Sequence, residues 1–158
     1  MDFSNEHNVL ARDIMQTYWN INRASVKLSQ HNAASLGITL AQMAILNTLM
    51  LSPNVTLKEL TERLMSPKST VSVNIDGLVQ SGLVVRDIPE ENRREVKLTL
   101  TPEGKDTARK SMENANSYRA MAAILDTMSE EDRTELLRIN KEILRQLEAS
   151  VQAAAASD

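Results

Sequence analysis

Two groups of side chains in this 158-residue chain have types and spacing that bear on chemistry. The first is Lys68, Ser69, Thr70, Ser72 and Val73: one cation, three hydroxyls and one small apolar side chain. Hydroxyls and the free backbone N–H groups of a helix start hydrogen-bond phosphates and base edges, and small residues let a helix settle deep into a major groove. The second is the Arg93-Arg94 pair. Guanidinium groups on a protruding tip are favoured in the negative potential of a narrow minor groove. Catalysis has no comparable grouping. His7 and His31 stand far apart without further ligands at metal-binding spacing, and glycines 37, 77, 82 and 104 make no phosphate loop. Glu90-Glu91 lies on a polar tip, whereas acid/base work needs a pocket that shifts pKa values. We therefore expect no enzyme, no cofactor and no metal.

The elements that must position these groups are legible around them. Thr56 and Glu59 have the spacing of a capping box, and Leu57, Leu60 and Leu64 give the following helix one apolar face. That helix is expected to end near Met65. Ser66 then reads as a second N-cap and Pro67 as a first helical residue. A second helix is expected from Pro67 to Ser81, stopped by Gly82, with Val71, Ile75 and Leu78 as its buried stripe. At about 100° per residue the opposite face holds Ser69, Val73, Asp76 and Gln80, flanked by Thr70, Ser72 and Gly77. Leu83-Val84-Val85 start a strand, and Val96, Leu98 and Leu100 alternate with polar residues as a second. The Pro89-containing polar run between them, with Arg93 and Arg94, reads as a hairpin tip. Two close helices followed by a hairpin make a winged helix-turn-helix, a module that grips duplex DNA.

This stretch resembles the MarR family of bacterial transcriptional regulators. The matching residues are Leu60, Ser69-Thr70-Val71-Ser72, Asp76, Leu78, Gly82-Leu83-Val84, Arg86, Arg93-Arg94 and Leu100-Thr101-Pro102-Glu103-Gly104. The resemblance extends more loosely to the whole chain. It implies a homodimer with helical dimerisation arms, two winged lobes, a palindromic operator, and release by a small molecule or an oxidant. It also implies an effector pocket between dimer body and DNA lobe, for which Met15, Tyr18, Trp19, Met43 and Met50 are the pliable apolar candidates. The chain departs from the family pattern at Val73, where an arginine often stands, at Asn92, where an aspartate usually precedes the two arginines, and at Gly77 within the recognition helix. The departure at Val73 removes the guanine contact that the family arginine implies and favours a thymine-methyl contact instead.

The remainder is mostly amphipathic helix. A first helix is expected from about Glu6 to His31, with Leu10, Ile14, Ile21 and Leu28 near one stripe and Tyr18 beside them, followed by a break over Asn32 to Gly37. Thr39 with Gln42 forms another capping box before a helix carrying Met43, Leu46 and Met50. Thr101-Pro102 opens a helix expected to run to about Asp126, and Ser129 caps a last helix with Leu136, Ile143, Leu147 and Val151. The tail from Ala153 is expected to fray. The fold class is thus mostly α with a small two- or three-stranded β-wing. Residues 1–37 form an N-terminal dimerisation helix, 38–104 the DNA-binding lobe and 105–158 the C-terminal dimerisation helices.

Net charge is −3, yet the lobe from Thr56 to Lys110 holds 10 cationic and 9 acidic residues, a balance of +1. Binding to DNA then rests on a few placed cations rather than a broad positive field. The near-neutral lobe also fits an alternative, a winged-helix module that binds protein. The absence of cysteine excludes disulfides and thiol-based sensing. No apolar run approaches the length of a membrane span, and the first ten residues carry acids and no cationic region, so a cytoplasmic location is expected. The expected partners are a double-stranded DNA operator, a second copy of the chain and a small-molecule effector.

Overall fold

The computed structural model describes residues 6–87 and 97–156, and these contain seven helices and a three-stranded sheet. The chain divides into two compact units, Met1–Ser117 and Tyr118–Asp158.

The first unit begins with helix α1, Glu6–Ser35, which runs four residues beyond the expected end at His31. Asn32 is no loop residue. It is buried, its Nδ2 donates to the Ser111 carbonyl at 2.7 Å, and Ser35 Oγ donates to the Asn32 carbonyl at 2.7 Å. The stop comes at Gly37, whose φ of +69° is the left-handed conformation that ends helices, with Ile38 N–H donating to Ala33 O. Helix α2, Leu40–Leu51, starts from the expected Thr39–Gln42 capping box, with both reciprocal bonds made. Strand β1, Val55–Thr56, is a third strand that two residues could not announce by periodicity.

Helix α3, Leu57–Arg63, is capped by Thr56 and Glu59 as expected. The chain then turns at Met65, a non-glycine residue at φ +46° and 92% exposed. The next cap differs from the sequence reading. Ser66 Oγ donates to the Leu64 carbonyl, Pro67 occupies the N-cap position, and no side chain caps helix α4, Lys68–Gln80. The turn consumes the Ser66 hydroxyl, so it never reaches the amides of α4. Gly82, at φ +70°, ends the helix region as expected.

Strands β2, Val84–Asp87, and β3, Lys97–Leu100, pair antiparallel, and β1 adds to the far side of β3, giving the order β1-β3-β2. Val84 faces Leu100 and Asp87 faces Lys97, while Val55 faces Leu98. One core joins these elements: Ile45, Leu46 and Leu49 of α2, Val55 of β1, Leu60 of α3, Val71, Ile75 and Leu78 of α4, Val84, Leu98 and Leu100 of the sheet, and Ala108 of α5. Burying a Leu or Ile side chain contributes about 1.5–3 kcal/mol, so this cluster is what holds α4 with its polar face outward.

Helix α5, Pro102–Glu113, starts from Thr101 with Pro102 in its first turn, as the sequence indicates. The single helix expected to Asp126 is broken: Asn114 is the C-cap of α5, and α6, Asn116–Asp126, follows. Asparagine competes with the helix for backbone hydrogen bonds, and two of them lie within three residues here. The second unit contains the rest of α6 and helix α7, Glu130–Ala155, capped by Ser129. The tail expected to fray from Ala153 is helical to Ala155. No residue of α6 or α7 is buried, although Tyr118, Met121, Ile124, Leu136, Leu147 and Val151 are all large and apolar. Exposed i,i+3 pairs, Arg138 with Glu135 and Arg145 with Glu142, line the polar side of α7. Hydrogen bonds from Arg145 and then Gln146 hold the Glu142 carboxyl down to about 2.

Candidate nucleic-acid interface

Helix α4 divides as its sequence demands. Val71, Ile75 and Leu78 are 2%, 1% and 0% exposed, whereas Val73 on the other side is 70% exposed. Lys68, Ser69 and Thr70 are exposed, and Ser72 is half-buried. Five of the seven residues singled out for DNA therefore lie on the first two turns of one helix. Ser69, Thr70, Val73 and Asn74 line a shallow open groove on that surface. With Pro67 as N-cap, no side chain caps the first-turn amides of α4. Beside Lys68, that end is suited to a phosphate oxygen.

Contacts with α2 and β2 fix how α4 is presented. Thr39 Oγ1, the cap of α2, donates to Asn74 Oδ1 at 3.3 Å, while Asn74 Nδ2 donates to the Thr70 carbonyl at 2.8 Å. At Gly77 a Cβ would come within 2.8 Å of Gln42 Nε2, the other half of the same capping box. The glycine that departs from the family pattern thus leaves room for the Gln42 side chain of α2. Finally, Asp76 on the outer side of α4 pairs with Arg86 of β2, tying recognition helix to wing base. Both residues had been noted as motif positions, but the ten-residue gap between them follows no helix or strand period.

The wing base is described and its tip is not. Asp87 opposite Lys97 closes the described ladder, and Asn92, Arg93 and Arg94 lie outside the described residues. The helix-turn-helix entry is held by Glu59, whose carboxyl is pulled below its ordinary value by the Thr56 N–H and then the Thr56 hydroxyl. Within α5, Lys110 and then Arg109 hold the Asp106 carboxyl down in the same way.

The candidate effector residues fall in two places. Met15, Tyr18 and Trp19 are on α1, with Met15 40% and Trp19 62% exposed. Met43, buried, and Met50, exposed, are on α2. α2 leaves α1 at a bend of 82°, and Trp19 is 16 residues, about 24 Å, before the end of α1. Within one protomer the two groups are therefore separate.

A family model described as the MarR family matches residues 36–95. The structure is similar to that of the multiple antibiotic-resistance repressor (MarR) from Listeria monocytogenes, with 33% identity over 91% of this chain and 99% of that chain, and a TM-score of 0.65. It is also similar to Staphylococcus aureus MarR in complex with salicylate and kanamycin, with 20% identity, coverage of 90% and 95%, and a TM-score of 0.76. YusO from Bacillus subtilis matches at 23% identity, coverage of 89% and 99%, and a TM-score of 0.67. No curated protein sequence matches the chain.

Proposed function

The chain belongs to the MarR family of winged-helix, DNA-binding transcription regulators, and on that premise we propose that it is a homodimeric repressor of a palindromic operator, acting in the cytoplasm. Each α4 enters a major groove with Ser69, Thr70, Ser72 and Val73 facing base edges and Lys68 at a phosphate. Each wing places Arg94 in the flanking minor groove and Arg93 nearer the backbone. The observation that carries this reading is the orientation of α4: its apolar stripe is buried in the lobe, its small polar face is exposed, and its N-terminus has no side-chain cap.

A second copy of the chain is the partner proposed for the apolar faces of α1, α6 and α7. The effector is proposed to be a small molecule, since S. aureus MarR is described in complex with salicylate and kanamycin and this chain has no cysteine to oxidise. We assign its pocket to Met15, Tyr18, Trp19, Met43 and Met50. The two groups lie apart along α1 and α2, and we propose that each protomer supplies one of them.

Capture of genomic fragments by the purified protein tests the function, and enrichment of one inverted repeat is the expected result. Lys68→Ala should then weaken binding to all sequences alike and flatten the salt dependence by about one unit per subunit. Arg94→Ala should lower affinity, most with A/T-rich flanks, without changing the melting temperature. The near-neutral lobe favours one other reading, a protein-binding module. Unchanged DNA affinity of a folded Arg94→Ala protein would move the assignment there.

A further inference from the structure

On the operator-binding reading above, we propose that α4 reads thymine: the Val73 side chain, with the Thr70 methyl beside it, packs on the 5-methyl group of a thymine in each half-site.

Guanine is read in the major groove by Arg or Lys, adenine by the amide of Asn or Gln, cytosine by a carboxylate, and thymine by apolar contact with its methyl group. α4 contains no arginine, and its one cation, Lys68, is its first residue, turned about 140° from Val73 at roughly 100° per residue. Asn74 carries the amide suited to adenine, but that amide is held back on the Thr70 carbonyl and on Thr39. Asp76 carries the carboxylate suited to cytosine, but it is engaged by Arg86. Gln80 lies about two turns beyond Val73, at the opposite end of the helix from the groove. What stays directed outward is Val73, 70% exposed, bordered by Ser69 and Thr70 one turn earlier. A valine so exposed is unprotected from water unless a partner covers it, and the groove it shares with Ser69, Thr70 and Asn74 is open enough to admit a methyl group.

The test uses the full-length protein and a random-sequence duplex library, selected in parallel with dTTP and with dUTP, which lacks the 5-methyl group. The dTTP selection should yield an inverted repeat with thymine at symmetric positions. Replacing those thymines by deoxyuridine should weaken binding about fourfold per half-site, the worth of one buried methyl group. Val73→Ser should bind the thymine duplex correspondingly more weakly and show no further loss with deoxyuridine, and its thermal melting should match wild type because the position is exposed. A repeat that binds equally well with deoxyuridine throughout overturns the proposal alone. So does a Val73→Ser protein that keeps the full deoxyuridine penalty. Failure to enrich any duplex overturns the operator-binding reading, and this proposal with it.

Discussion

Gly77 and Gly104 both lie within helices, where alanine ordinarily gains about 1 kcal/mol over glycine. Their neighbours set different outcomes. A Cβ on Gly104 would overlap the Leu83 carbonyl oxygen, a backbone atom held by Thr101 N–H at 3.1 Å. Gly104→Ala should therefore destabilise by about 2–3 kcal/mol, seen as a melting temperature lower by roughly 5–10 °C. A Cβ on Gly77 would meet only the far end of the Gln42 side chain. Displacing that amide costs about one hydrogen bond, roughly 1 kcal/mol, which the helix propensity of alanine offsets. Gly77→Ala should melt within a few degrees of wild type. An alanine at position 104 that is as stable as one at position 77 would contradict the packing of α5 against the start of β2.

At the scale of elements, the helix-turn-helix depends on its entry cap. Thr56 receives the Glu59 N–H at 3.2 Å, and Glu59 receives the Thr56 N–H at 2.8 Å. Thr56→Ala should cost about 1 kcal/mol. The Glu59 carboxyl is held below its ordinary 4.5 in the folded state. Its contribution to stability is complete above the unfolded value and is lost as pH falls through the lower folded value. Glu59→Gln keeps the geometry of the box and removes the titration. Melting temperatures followed from about pH 6 to about pH 3 should therefore fall less steeply for Glu59→Gln than for wild type. The exposed pairs on α7 call for a smaller expectation, since solvent screens ion pairs at the surface.

At the scale of the whole molecule, the unburied apolar side chains of α6 and α7 lead to a prediction about assembly. Sedimentation at micromolar concentration should give about twice 17.6 kDa. Leu147 is 51% exposed in the protomer, so an aspartate there leaves the fold of one chain intact and puts an unpaired charge into the proposed seam. Leu147→Asp should shift the protein towards monomer and lower operator affinity together. A monomeric wild-type protein, or a Leu147→Asp dimer as tight as wild type, would remove the terminal helices from the interface.

What the sequence by itself determined were the features carried by residues a few positions apart. The caps at Thr39, Thr56, Thr101 and Ser129 and the stripe of Val71, Ile75 and Leu78 are read within one or two turns, because a cap or a helix face is closed by its own neighbours. The strand pair of the wing and the outward direction of Ser69, Thr70 and Val73 follow from the same short periods. Tertiary structure alone decided the rest. Asn32 looks like a helix breaker until Ser111, 79 residues away, accepts its amide. Ser66 looks like a cap until the turn at Met65 takes its hydroxyl. Gly77 looks like a flaw until Gln42 packs on it, and β1 exists only because β3 pairs with it. For Asn32, Gly77 and β1 the deciding partner lies outside the reach of a helical or strand period, and for Ser66 it is the left-handed turn at its neighbour Met65, which no period announces.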